Sequence, residues 1–295
     1  MVGTFRGLVR AFARPGDELC RIAGGGCPYT LPVAGRPLIA HAVRALADAG
    51  AREILVTVDA GIAEAVVPAI GMVNGAEVQV AIQPKNDETA SIRAVQKMLG
   101  PGPLAVFAGD ALVPGAVELA PDTVWVADGQ PVAWTLADVP EHRLVAGRGA
   151  VVELDGAWRY SGTVDGVLEA NTLALDALKR GRIGVDLSRA NVQGRVQIDP
   201  SVRLDGAKIR GPVFIGRGAR VVETYVGPYT SIGEGVTLEG VEIENSIVLP
   251  EAEIRYPGRR LEASLVGEGA QIGRDYSLPS ALRLRVGPGA QIQLS

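Results

Sequence analysis

An interval of 17 residues in the last third of the chain narrows its fold more than any other feature. Ile198, Ile215, Ile232, Leu249 and Val266 are each 17 apart, as are Ile209, Val226 and Ile243, and Leu204, Val221 and Leu238. The interval divides into steps of 6, 6 and 5, as from Ile209 to Ile215, Val221 and Val226. A chain that returns an aliphatic residue to the interior three times per turn predicts a left-handed parallel β-helix built of hexapeptide repeats. A β-sandwich would instead show alternation of period 2 and no longer interval. Gly211-Pro212-Val213, Ile215-Gly216 and Gly227-Pro228 supply residues suited to the corners. Ile232 is expected to point inward, stacked between Ile215 and Leu249. Flat-faced coils commonly associate side by side, so a homo-oligomer joined through residues of about 200 to 295 is expected.

The first two thirds carry a different rhythm. Gly7 to Phe12 reads as a strand. After Leu31-Pro32-Val33-Ala34-Gly35-Arg36-Pro37-Leu38-Ile39, apolar residues recur at helical spacing through Ile39, Ala42, Val43, Leu46 and Ala47, with Gly50 placed to end the helix. Pro37 suits the first turn. Strands are expected at Glu53–Val58, Ala76–Ile82 and Leu104–Phe107, and helices at Ile62–Ile70 and Glu88–Leu99. Strands alternating with helices imply a parallel sheet covered on both faces. The fold class expected is therefore α/β, a Rossmann-like domain over residues 1–190, followed by the β-helix over 191–295. Ligands on such sheets sit beyond the carboxyl ends of the strands. Arg14, Gln83 and Asp110 all fall at such ends.

A net charge of −4 gives no support for nucleic-acid binding or for a polybasic membrane contact. No apolar run reaches the roughly 18 residues of a membrane span. The N-terminus lacks the apolar core of a signal peptide, so a cytoplasmic location is expected. The two cysteines, Cys20 and Cys27, have no zinc-like spacing and read as reduced thiols. Only Lys85, Lys97, Lys179 and Lys208 are lysines, the other basic residues being arginines.

The loop, helix and strand around Leu31–Val58 resemble those of sugar-1-phosphate nucleotidyltransferases, above all the long form of glucose-1-phosphate thymidylyltransferase. Gln83-Pro84-Lys85-Asn86-Asp87-Glu88-Thr89-Ala90 is similar to the family's base-reading segment, and Gly109-Asp110 to its Gly-Asp, whose carboxylate holds Mg²⁺. Val152-Glu153-Leu154-Asp155-Gly156 resembles the strand and turn before the family's sugar-phosphate motif, and Leu282-Arg283-Leu284-Arg285-Val286-Gly287 resembles its tail. The resemblance implies a nucleotide or nucleotide sugar as ligand. It implies Gln83 and Gly109 in nucleotide binding, with the glycine run Gly24, Gly25 and Gly26 able to cradle an anion. Glu153, Asp165 and Gly166 would lie on the sugar side.

The departures from the family are as informative. Its Gly-Gly-x-Gly-x-Arg loop is here Ala11-Phe12-Ala13-Arg14-Pro15-Gly16-Asp17, with an acid about where the arginine belongs. The lysine of its Pro-Lys pair is missing near Cys27-Pro28-Tyr29. Glu88 replaces the glycine after the base-reading Gln. The chain runs from Trp158-Arg159-Tyr160 to Val164-Asp165-Gly166-Val167 without the family's Glu-Lys-Pro. Nucleotidyl transfer depends on cancelling phosphate charge with Mg²⁺, Arg and Lys. A catalytically degenerate relative that binds nucleotide or nucleotide sugar is the leading expectation. The alternative is an active enzyme with a rebuilt site, in which Arg14, Lys85 and Asp110 do the work. An acyltransferase site on the β-helix would want a histidine base, and His41 and His142 both lie outside that domain.

Overall fold

The structure is a computed structural model, describing residues 5–14, 19–22, 28–84, 87–113, 117–140, 144, 149–178, 185–274, 284–286 and 292. The chain divides into two compact units after Tyr160, with the segments Asp17–Gly24 and Pro32–Gly35 grouped with the second. In chain order the first elements are β1 (Arg6–Ala11), α1 (Leu19–Ile22), β2 (Pro32–Val33), β3 (Arg36–Pro37), α2 (Leu38–Asp48), β4 (Glu53–Asp59), α3 (Ala63–Ile70) and β5 (Glu77–Gln83). They are followed by α4 (Glu88–Met98), β6 (Leu104–Ala108), β7 (Ala111–Leu112), β8 (Thr123–Ala127), β9 (Gln130–Leu136), β10 (Ala150–Glu153), β11 (Trp158–Arg159) and α5 (Val164–Asp176).

The first unit is built on a seven-stranded sheet in the order β10-β8-β9-β6-β1-β4-β5. The run β6-β1-β4-β5 is parallel, while β9 lies antiparallel to both β6 and β8. Alternate residues of the central strands feed opposite faces, as the pleat requires. Val9, Ile54, Val56, Ala105 and Phe107 join the core that holds α2 and α3. Leu8, Leu55, Leu104 and Val106 join the other core, against Ile92 and Val95 of α4. The helix after Pro37 forms as its spacing predicts, burying Leu38, Ile39, Ala42, Val43 and Leu46. Asp87 starts α4 by accepting from the backbone N–H groups of Thr89 (2.8 Å) and Ala90 (3.2 Å), satisfying donors that have no partner inside the helix.

The second unit holds three sheets wound as a left-handed parallel β-helix, parallel throughout except that Leu284–Arg285 pairs antiparallel with Gln271–Gly273 at the end of one. The first two coils keep the 17-residue register, with Ile198 beside Ile215, Ile215 beside Ile232, and Leu204 beside Val221. The third breaks it. Ile232 pairs with Val248, 16 residues on, and Val248 pairs with Val266, 18 residues on. Leu238 likewise pairs with Ile254 and Ile254 with Ile272. The expected partner Leu249 is therefore corrected to Val248. One coil is a residue short and the next a residue long, so the intervals cancel and the sequence shows an unbroken repeat. Ile215, Ile232, Leu238, Ile243 and Ile254 are fully buried in this core.

Helix α5 belongs to the same unit. Its fully buried Asn171 accepts from the N–H of Ala34 (2.9 Å) and from Ser231 Oγ (2.6 Å), and donates to the carbonyl of Tyr229 (3.0 Å). Cys20 is disulfide-bonded rather than the reduced thiol expected; Cys27 lies outside the described residues. No helix among the described residues is long and apolar enough to cross a membrane.

Candidate functional site

In the parallel part of the sheet the connections from β1 and from β6 leave in opposite senses, β4 and β5 lying on one side of β1 and β6 on the other. That is a topological switch point, where open α/β sheets bind ligands. Three of the sequence-predicted residues, Arg14, Gly109 and Asp110, meet there. Asp110 follows β6 and Arg14 follows β1. Arg14 Nη2 donates to Asp110 Oδ2. Gly109 is what lets the two strand ends close, since a Cβ there would fall 2.6 Å from the carbonyl of Arg10 and 2.9 Å from Ile39 Cδ1. Its N–H donates to that same carbonyl at 3.2 Å.

Four further residues complete the cluster. The short antiparallel pairing of β11 with β7 sets Arg159 opposite Ala111, and Arg159 Nε lies 3.5 Å from Asp110 Oδ1. Arg159 Nη1 donates to the carbonyl of Pro131, which fixes the plane of the guanidinium. Tyr160 donates its backbone N–H to the Asp110 carbonyl at 3.0 Å and lays its ring beneath Arg14, 5.6 Å from the guanidinium carbon. Trp158 meets the Tyr160 ring edge-on at 6.2 Å. Tyr29 is held by Phe12, accepting from its N–H at 2.9 Å and donating to its carbonyl at 3.0 Å. Burial, then the nearby Asp110 carboxylate, push the Tyr29 phenol up to about 12, against the pull of the Phe12 hydrogen bond and Arg14. Burial disfavours the Arg14 charge, but Asp110 and then Tyr29 outweigh it and hold Arg14 above its ordinary value.

The Asp110 side chain is 4% exposed, whereas those of Arg14 and Arg159 are 40% and 29% exposed. The carboxylate therefore forms the floor and the guanidinium groups the rim. A carboxylate this deep needs its charge met, and two cations meet it, one on each oxygen.

Gln83 and Glu153, the other predicted residues described in the first unit, are not brought into this cluster. Gln83 ends β5, two strands from β1. It is 4% exposed, its Oε1 accepts from Ser91 Oγ at 3.2 Å, and its Nε2 has no acceptor among the described residues. Glu88 turns to Arg10, 3.5 Å away. Burial lowers the pKa of Arg10, with Glu88 opposing. Glu153 ends β10 at the opposite edge of the sheet, where its Oε1 accepts from the N–H of Asp128 at 2.9 Å. Asp165 and Gly166 sit in the first turn of α5 in the second unit, where Gly166 donates its N–H to the capping Thr163 hydroxyl at 3.1 Å. Lys85, Gly24, Gly25 and Gly26 lie outside the described residues. Sequence reasoning missed Arg159, Tyr160 and Tyr29. The one signal available was the aromatic–basic–aromatic run Trp158-Arg159-Tyr160.

Mg²⁺ asks for near-octahedral oxygen ligands, commonly one or two carboxylates with water and phosphate. Among the described residues there is a single carboxylate here, and each of its oxygens already faces a guanidinium. No group of three or more His, Cys, Asp or Glu suited to a metal occurs among the described residues. The arrangement does not fit the ion, because a divalent cation at Asp110 would have to displace or repel two positive charges.

No family profile matches the chain. Three curated relatives do, and all three are nucleotidyltransferases by name. The resemblance to sugar-1-phosphate nucleotidyltransferases is thus borne out over about half of the chain. Two of the three are more particularly glucose-1-phosphate thymidylyltransferases. The one from Streptomyces griseus is 37% identical over 142 residues, 48% of this chain and 40% of the relative. The one from Streptomyces antibioticus is 33% identical over 141 residues, 48% and 39% of the two chains. The third, the low-salt glycan biosynthesis nucleotidyltransferase Agl11 of Haloferax volcanii, is 46% identical over 147 residues, 48% and 40%. The chain thus spans about two fifths of the length of the relatives it matches. A solved structure from Bacillus anthracis, named as a candidate glucose-1-phosphate thymidylyltransferase, aligns at 13% identity and a TM-score of 0.42 over 58% of this chain and 95% of that one. At that score it carries no weight.

Proposed function

We propose that this chain is a catalytically degenerate relative of the sugar-1-phosphate nucleotidyltransferases, which binds a nucleotide or nucleotide sugar and acts as scaffold or regulator in sugar-nucleotide or glycoside biosynthesis. One observation carries the reading. Asp110, which by resemblance falls where the family holds Mg²⁺, has both carboxylate oxygens faced by Arg14 and Arg159. Transfer of a nucleotidyl group to a sugar phosphate needs charge cancelled at the α-phosphate as it builds up, and losing one such donor costs roughly 3 kcal/mol. The loop arginine, the Pro-Lys lysine and the Glu-Lys-Pro lysine are absent together from the sequence. A second reading, an active enzyme with a rebuilt site, has one observation in its favour: two guanidinium groups stand on the rim where phosphate charge would need them.

A pyrophosphate-release assay with glucose-1-phosphate, each nucleoside triphosphate and Mg²⁺ separates the two. The expected result is no turnover, with nucleotide-sugar binding retained and weakened by Gln83→Ala. Turnover near ~1 s⁻¹, within the ordinary enzyme range, and abolished by Asp110→Ala, would overturn the proposal.

A further inference from the structure

We infer that the Arg14–Asp110–Arg159 cluster is a phosphate-binding site that works without a divalent metal, the two guanidinium groups standing in for the ion. The inference rests on the reading of this chain as a nucleotide-sugar binder and names how the ligand's phosphate is held. Among the described residues two cations face one carboxylate, which leaves the cluster one positive charge in excess at the end of the parallel strands.

The burial order gives that charge a direction. Asp110 is beneath, and Arg14 and Arg159 are the parts that reach solvent. Neither guanidinium is spent on the carboxylate. Arg14 gives it Nη2 and also hydrogen-bonds Tyr29, and Arg159 gives it Nε while Nη1 goes to the Pro131 carbonyl. Both are held in place, Arg14 by the Tyr160 ring and Arg159 by Pro131, so little side-chain freedom is lost when an anion arrives. Arginine suits the task because its planar fork matches phosphate oxygens two at a time. In this arrangement Asp110 is a positioning residue. It anchors both guanidinium groups and, being negative, opposes the ligand.

That opposition gives an assay with opposite signs for the two roles of Asp110. Binding of inorganic pyrophosphate and of dTDP-glucose is measured by calorimetry on the full chain, in excess EDTA and in millimolar Mg²⁺. The expected result is binding in EDTA with a Kd that Mg²⁺ changes by no more than about threefold, weakened about tenfold by Arg159→Gln. Asp110→Asn is expected to tighten binding, since it frees both guanidinium groups and removes a repelling charge. Were Asp110 a metal ligand, the same change would weaken binding, and only in Mg²⁺. Binding that requires Mg²⁺, no binding of either probe, or weaker binding by Asp110→Asn each overturns the inference. The wild-type comparison in EDTA and Mg²⁺ decides even if the variant folds poorly. Pyrophosphate binding alone places the recognised group in the phosphates. Stronger binding of dTDP-glucose shows that the nucleoside or sugar contributes as well. Turnover in the pyrophosphate-release assay would sink the proposed function while leaving this test untouched.

Discussion

Truncating Ile232 to alanine tests the β-helix core where its packing is most constrained. The side chain is fully buried, with Ile215 on one side and Val248 on the other. Removing three carbons forfeits about 2.4 kcal/mol at ~0.8 kcal/mol per buried methylene. The flanking coils cannot close on the gap, because the ladder holds them at strand spacing. Gly216 N–H donates to the Ile232 carbonyl at 2.8 Å, and Gly233 N–H to that of Val248 at 2.8 Å. A cavity contribution therefore remains, and the expected loss is about 3–4 kcal/mol, inside the usual range for such truncations. Guanidinium unfolding read together with amide exchange at Ser231 to Gly233 measures it. Arg220→Ala is the control. It is exposed, next to the fully buried Val221 on the same strand, and should move stability by less than about 0.5 kcal/mol. A loss below about 1 kcal/mol for Ile232→Ala, or one matching the control, would refute the stacking.

Two further outcomes follow from buried polar groups. Tyr29, with its phenol raised to about 12 in the folded chain, keeps its proton from pH 10 to 12 while the unfolded chain loses it. Its contribution is therefore whole below pH 10 and drains away as pH rises through 12, by about 2–3 kcal/mol; Tyr29→Phe should flatten that slope in alkaline denaturation, and an unchanged slope would disprove the assignment. Asn171→Ala strands the Ala34 N–H and the Tyr229 carbonyl and takes the acceptor from Ser231. It should cost about 2–3 kcal/mol, measured by urea unfolding, and a loss under 0.5 kcal/mol would show that these groups find other partners.

The β-helix was readable because its core is periodic and its inward residues are few in kind. Its register was only partly so. The short coil after Ile232 and the long coil after Val248 cancel, so counting along the chain lands on Leu249, a buried residue of the right class in the wrong column. Arg14 and Asp110 could be placed on one rim from strand order alone. Arg159 could not, because it reaches Asp110 through the two-residue pairing of β11 with β7, contributed by segments about 48 residues apart. A ladder that short leaves no periodic trace. Gln83 was legible as a strand-end amide, but its burial was not, since that depends on Ser91 of the next helix coming back over it. Glu153 is placed on the sugar side by resemblance alone; its strand is an edge of the sheet, a position that the sequence pattern did not give.

The compensated coils show where this β-helix tolerates changes of length. One residue is lost at the corner between Ile243 and Val248, two are gained at the corner between Ile254 and Leu261, and one is lost again between Leu261 and Val266. Those corners contain Asn245 at φ 44°, and Tyr256 and Gly258 at φ 45° and 80°. Backbone at a corner stands outside the flat ladders, so adding or removing a residue there leaves the facing of every later strand intact. The same change within a strand would turn each following side chain to the opposite face. The corners thus serve as expansion joints, through which the domain can absorb an insertion or deletion without reversing any wall.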